Sequence, residues 1–429
     1  MSADTAPGAD GTTALALRVD GAPLAGAARR ALRELRLVQR ACLPAQLVAV
    51  FDGTEPPVGA AGLATPVALD GAAGASGEAL FEGEIAAAEH RFGPDRRHGL
   101  ELRAYDALAT LQAHRRPHTF AAGDLRQLAG ALLADHGLRG VDWPAVAIPA
   151  RLVRDDADDR RLLHDVAVAR GVYFHTVGGE VRAFTLADDG AAPVELEHGI
   201  LDLRVERSRR AGWSSRSTRY WDLHALTTHD IAGGGAPAGG EARSGGPRFA
   251  GHGDATARAG ARAREDAQRS LGVSGAVRGD PRLRPGRRIR LRHPALDEPV
   301  VTTLFEVVHR VDPDLGYVTE FTDTPPTPPA EAGLRLAFGA VVAVDPARPA
   351  EARLRLPWLD DLETGWLPVV VAGAGAGKGC VALPEPDDHV ACLLYADNLA
   401  DGMILGGLFA ERSVPTGGGD GDRALVART

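Results

Sequence analysis

Between Phe338 and Phe409 the sequence reads FGAVVAVDP, ARLRLPWL, GWLPVVVAG, GCVALPEPDDHVACLLY and GMILGGLF. These are five short apolar runs of period-two character, divided by Gly, Pro and Asp, which is the signature of strands joined by tight turns. In the second run Ala352, Leu354 and Leu356 share one face, while Arg353 and Arg355 share the other. Such alternation predicts a sheet with one buried and one wetted side. Five strands in so short a stretch predict a small closed barrel of the OB type.

Upstream the periodicity changes several times. ALRELRLVQRACLPAQLVAVF (31–51) is ambiguous between helix and strand, and the interruption at Pro44 with the β-rich LVAVF favours strands after Leu35. LFEGEIAAAEHRF (80–92) and HGLELRAYDAL (98–108) read as two strands around GPDRR, and the Gly/Ala-rich stretch 52–77 between these regions reads as a long loop. Asp124 is placed to cap a helix carrying Leu128, Leu132 and Leu133, with Gly137 as its stop; Asp158 or Asp159 is placed to cap a second, closed by Gly171. VYFHTVGGEVRAFTL (172–186) predicts a hairpin turning at Gly178-Gly179. Residues 200–206 and 218–231 predict strands, 233–253 a mobile Gly-rich loop, and 254–271 a polar Ala/Arg helix. Three further strands follow in RIRLRHP, VTTLFEVVHRVD and GYVTEF, before the proline segment TPPTPPAEAG (324–333) marks a boundary.

A chain of 429 residues has length for two or three domains. The net charge of −9 argues against a general nucleic-acid binder, whose affinity rests on cations paired with phosphates. Within residues 334–412 six basic face eleven acidic side chains, so the predicted barrel repels phosphate as well. The amino terminus MSADTAPGADG has neither a basic n-region nor an apolar core, so no secretory leader is expected. No apolar run approaches the roughly 20 residues that cross a bilayer. Cys42, Cys380 and Cys392 show no CxxC spacing, which fits a reducing compartment and neither a disulfide framework nor a zinc site.

Candidate chemistry is sparse. AGAGAGKG (372–379) resembles a phosphate loop but has Ala372 where the loop needs Gly and Gly379 where it needs Ser or Thr, so it is expected to be a connection with Lys378 in solvent. Asp222, His224, His229 and Asp230 could suggest a metal site or an acid–base pair, but 222 and 224 fall on one strand face and 229 on the other; a structural role is expected. The cluster Asp155–Asp159 reads as a helix start and lacks the Gly and terminal Glu of a calcium loop; Glu385, Asp387 and Asp388 read as a turn. Trp213, Tyr220, Trp221, Trp358 and Trp366 are expected to fill barrels and interfaces and not to form a stacking platform. No catalytic, cofactor-binding or metal residues are assigned, and no enzymatic activity is expected.

The order of these segments resembles the VgrG spike proteins of contractile injection systems and their phage relatives, the baseplate hub and late control protein D. The similarity is carried by EGEIAAAEHRF with LELRAYDAL, by RPHTFAAGDLRQLAGALLADHGL, and by DDADDRRLLHDVAVARGVYFHTVGGEVRAF. It continues through RYWDLHA with Trp221-Asp222, GDPRLRPGRRIRL (279–291) and VVHRVDPDLGYVTEF (307–321). RLRLPWL, Trp366, ALPEPDD and MILGGLF complete it within the barrel, so about residues 30–410 are covered.

The resemblance implies a mainly β (α+β) protein: two hub β-barrels with helical insertions, then an OB-fold barrel, assembled as a homotrimer with pseudo-sixfold hub symmetry. The corresponding division is a disordered terminus (1–24), a hub (25–325), a linker (326–333), the OB domain (334–412) and a neck (413–429). A needle is implied after the barrel. ALVART at Thr429 leaves three expectations for it: very short, on another chain, or cut at its start. The implied work is mechanical: capping the inner tube, organising the baseplate and carrying tip and effectors for membrane puncture. Implied partners are the tube and tube-initiator proteins, baseplate wedge proteins, a PAAR-type tip and effector cargo, with no nucleic acid. Assembly in the bacterial cytoplasm and export on sheath contraction or particle release are implied too. A trimer also answers a physical need, since an isolated barrel of this size seldom holds more than about 3–5 kcal/mol. Rival readings are a baseplate-associated peptidoglycan hydrolase and an OB-fold binder of single-stranded nucleic acid or glycan.

Overall fold

The structure, a computed structural model, describes residues 15–409 except 25, 54–61, 72–78, 93–97, 116, 156–157, 188–189, 209–212, 223–224, 235–239, 247–248, 250, 313–314, 330–332, 349 and 381. Its largest element is an eleven-stranded sheet ordered Ile200–Arg207, Leu271–Arg278, Gly316–Thr322, Glu306–Asp312, Leu32–Arg40, Gln46–Gly53, His98–Asp106, Phe81–Phe92, Pro66–Asp70, Ala16–Val19 and Ala22–Pro23. Two separate apolar cores lie along it. Leu35, Leu37, Leu47, Phe51, Leu69 and Ile85 belong to the first; Val273, Val277, Leu283, Ile289, Val307 and Phe321 belong to the second. One sheet curling around two cores gives the pair of barrels expected of the hub, stitched where Glu306–Asp312 pairs with Leu32–Arg40.

A helical module is inserted between the barrels. Asp124 accepts from the Gln127 N–H and starts the helix Leu125–Asp135, which buries Leu128, Leu132 and Leu133. Asp158, and not Asp159, caps Asp159–Val168. Both helices end on glycines of positive φ, Gly137 and Gly171. The hairpin Val172–Val177/Glu180–Thr185 turns at Gly178-Gly179 with φ of 54° and 76°, the mirror-type turn that matches strand twist.

Several segments depart from the sequence expectation. The stretch 233–253 contains a strand, Gly240–Gly246, parallel to Trp213–Asp222; backbone pairing holds it although its side chains offer little to pack. The segment 218–231 is two strands, Trp213–Asp222 and Thr227–Gly234, because Asp222 caps Ala225 and Leu226 takes φ 53°. VTTLFEVVHRVD divides at the buried Leu304 and Phe305 into strands of two different sheets. Pro66–Asp70 is a strand within the expected loop, with Val67 and Leu69 buried, and it pairs with Ala16–Val19 inside the expected disordered terminus. Leu271–Arg278 is a strand that its two glycines concealed. Residues 1–14 and the neck 413–429 lie outside the described residues.

The carboxy-terminal sheet runs Leu362–Glu363, Glu351–Leu356, Leu334–Val344, His389–Tyr395 and Asn398–Gly407, with Leu367–Pro368 also paired to Glu351–Leu356. It closes on Val341, Leu354, Leu356, Val390, Leu394 and Ile404. Among the described residues no helix is long and apolar enough to cross a membrane.

Candidate interaction surfaces

The barrel wall has two characters. On Glu351–Leu356 the expected split holds: Ala352, Leu354 and Leu356 are buried, and Arg353 and Arg355 face outward. On the neighbouring Leu334–Val344 the outward positions are apolar, with Leu334 53%, Leu336 58% and Phe338 50% exposed. The register extends this stripe, since Leu336 stands opposite Leu393, Phe338 opposite Ala391, and Leu393 opposite the half-buried Met403. Leu405, Leu408 and Phe409 continue the exposed apolar surface along the chain. Monomeric proteins rarely leave a contiguous apolar face of this kind in water.

At one end of the barrel the Arg335 guanidinium lies 4.7 Å from the centre of the Trp358 ring and bonds Asp155 Oδ2 at 2.6 Å. Trp358 Nε1 donates to Phe338 O. Arg353 stacks on Trp366 in the same way. These two tryptophans are therefore occupied by the barrel's own arginines. Tyr220 is buried beneath His229, with ring centres 4.9 Å apart, and Trp213 and Trp221 are exposed on that same distant strand, so the five aromatics make no common platform.

The other singled-out residues that the structure describes make contacts within the protein. Asp230 receives Arg219 at 2.7 and 2.6 Å and Arg243 at 3.2 Å, and these bonds hold its carboxyl down to about 2. His229 sits on the opposite strand face, so the two do not meet; His224 lies outside the described residues. In AGAGAGKG, Gly375 and Lys378 bond each other's backbone in a tight turn, no helix follows, and Lys378 is exposed. In the aspartate cluster Asp159 meets His136 at 2.9 Å and Asp155 meets Arg335. Asp388 accepts from the Glu385 N–H in the turn expected there.

The buried titratable groups are dispersed. Burial pushes His175 down to about 3 and His309 to about 4, and pushes Asp106 and Asp323 up to about 6. His309 is bonded to Tyr317 Oη at 2.8 Å and to Leu283 O at 3.1 Å, which fits Nε2–H donating to the carbonyl and Nδ1 accepting from the phenol. Asp323 accepts from Val273 N and Thr302 Oγ1, and Asp106 from Leu108 N. Among the described residues, no three His, Cys, Asp or Glu side chains stand within reach of one metal ion. What the sequence reading missed is the apolar outer stripe. Its signal was present, because LRLAFGAVVAV is apolar at both parities.

Comparisons with known proteins agree with this architecture. Residues 338–409 match the family described as the type VI secretion system/phage-baseplate injector OB domain. No curated protein sequence matches the chain. The fold is similar to the 43 kDa tail protein of prophage MuSo2 from Shewanella oneidensis, at 13% identity over 72% of this chain and 97% of that one, TM-score 0.54. It is similar to the E. coli c3393 protein, a type VI secretion component, at 13% identity over 92% and 99%, TM-score 0.56. It is also similar to a Francisella PdpA–VgrG complex chain, at 7% identity over 97% and 79%, TM-score 0.56.

Proposed function

We propose that this chain, an injector-type OB domain on a VgrG-like spike-hub fold, is the self-associating spike base of a phage-tail-like injection machine. The observation that carries this reading is the exposed stripe Leu334, Leu336 and Phe338, lying in and beside the segment that matches the injector family. Three copies packing these stripes around one axis bury apolar surface worth roughly 25 cal/mol per Å². Obligate interfaces commonly exceed about 2,000 Å² in total, enough to make dissociation of a puncturing rod slow. In this reading the paired barrels of the hub, repeated three times, present six similar units to a sixfold tube. The chain caps that tube, organises baseplate wedges, and carries a PAAR-type tip and effectors outward when the sheath contracts. Assembly takes place in the bacterial cytoplasm.

Light scattering on the purified chain tests this directly. The expected particle is three times 44.8 kDa. Leu336→Glu with Phe338→Glu should reduce it to one chain without loss of secondary structure, because both side chains already lie outside the barrel core. A well-folded monomer of the unaltered chain at micromolar concentration would remove the basis of the proposal.

A further inference from the structure

The strand Arg151–Arg154 of the helical module pairs on one side with His118–Ala121. Its other side faces the barrel, and there, among the described residues, it forms no backbone ladder with a strand. Instead it meets Asn398, a buried residue at the start of the last barrel strand. Asn398 Oδ1 accepts from the Val153 N–H at 3.0 Å and from the Ala400 N–H at 3.2 Å, and Nδ2 donates to Arg151 O at 3.1 Å. A carboxamide offers the same donor and acceptor as a peptide unit, so one side chain satisfies the edge as a third strand would. The contact is also apolar, because Val153 is a member of the barrel's own core beside Leu354, Leu394 and Leu399. Two more ties flank it: Arg151 Nη1 donates to Glu363 O at 3.0 Å, and Arg335 pairs with Asp155. The covalent connection, by contrast, has neither helix nor strand from Asp323 to Pro329.

We propose that Asn398 is a positioning residue that locks the OB barrel onto the body by standing in for a missing strand, so that this seam sets the barrel's direction and the proline segment does not. Asparagine suits the place chemically. Aspartate keeps the acceptors but loses the donor to Arg151 O and sets a charge against that carbonyl, while leucine leaves both edge groups unpaired in a dry site. Under the spike reading, on which this one consequence rests, axial load passes from barrel to helical module through Val153 and its strand.

Hydrogen exchange on the full chain tests the lock, independently of the solution mass that tests the spike reading. In the unaltered chain the Val153 amide should be protected within about tenfold of the barrel-core amide of Leu354, as groups released by one opening are. In Asn398→Leu, which takes away the acceptor of the Val153 N–H, its protection should fall by about tenfold or more, the effect of losing a buried hydrogen bond, while the Leu128 amide of the first long helix keeps its own. Arg335→Ala, which breaks the tie to Asp155 and the stack on the exposed Trp358, should leave Val153 protected. A folded Asn398→Leu with unchanged Val153 protection overturns the proposal. So does an unaltered chain whose Val153 amide exchanges at the rate of an open sheet edge, a measurement that needs no variant to fold.

Discussion

The barrel and the ribbon that precedes it are both small β units, yet they are held by opposite means. The barrel gathers fourteen buried apolar side chains, one of them Val153 from the body, and leaves further apolar residues on its outer face. The ribbon, Trp213–Asp222, Thr227–Gly234 and Gly240–Gly246 with the helix His252–Arg269, has among the described residues a small core of Tyr220, Ile231, Ala255 and Ala259, with the partly buried Phe249 packed against it. Buried polar pairs tie it to the body. Arg170 and Asp254, both 1% exposed, pair at 2.6 Å; Tyr173 Oη donates to Glu265 at 2.8 Å; Gln268 reaches Thr302 at 2.6 Å. Apolar burial is indifferent to direction, so it can close a barrel and still leave an adhesive face. Buried polar pairs demand a single geometry and fail as a unit when one member is removed.

Removing one member should therefore have the largest effect. Asp254→Ala leaves Arg170, whose guanidinium burial already pushes down to about 10, without its counter-charge, and a loss of about 3–5 kcal/mol is expected on denaturant unfolding. Exchange in the ribbon should rise before exchange in the barrel. Leu354→Ala, which empties a fully buried site in the barrel, should lower stability by about 2–5 kcal/mol, with its exchange signature in the barrel. If either variant loosened both regions equally, the two would be one cooperative unit.

Acidification should act on neither region first. His309 lies in the hub body and has a folded pKa of about 4 against an ordinary 6.5, so the unfolded chain takes up its proton sooner. Its contribution is intact above pH 6.5 and is lost as pH falls toward about 4. Asp323 and Asp106 act in the reverse sense: their folded pKa of about 6 lies above the ordinary 3.8, so their penalty at neutral pH is relieved between about 6 and 4. His309→Gln should keep a donor for Leu283 O and an acceptor for Tyr317. It should therefore reduce the drop in melting temperature between pH 6.5 and 4.5 relative to the unaltered chain. An equal drop in both would exclude His309 as the cause. Arg335→Ala should have the smallest effect, about 0–1 kcal/mol in urea, because its pair with Asp155 and its stack on Trp358 both lie at the surface.

Elements whose signal is local were legible in the sequence. Asp124 and Asp158 cap helices because an acceptor side chain meets free N–H groups within the first turn, and Gly178-Gly179 turns a hairpin because both φ values are positive. The alternation of Ala352–Leu356 likewise named its own buried face. Elements whose stability comes from a distant partner were not legible. Gly240–Gly246 is a strand because Trp213–Asp222 lies beside it, and Ala16–Val19 because it lies between Pro66–Asp70 and Ala22–Pro23. In Leu334–Val344 both parities are apolar, so periodicity could not choose which one faces out.

The sequence by itself therefore determined the two capped helices, the Gly178-Gly179 hairpin and the closing OB strands, since period, caps and turn residues act within a few positions along the chain. Tertiary structure alone decided that one sheet spans two cores, that Leu336 and Phe338 face solvent, and that Asn398 completes an edge 245 residues away. Such outcomes depend on which remote backbone groups and surfaces come together, and no local pattern encodes that choice.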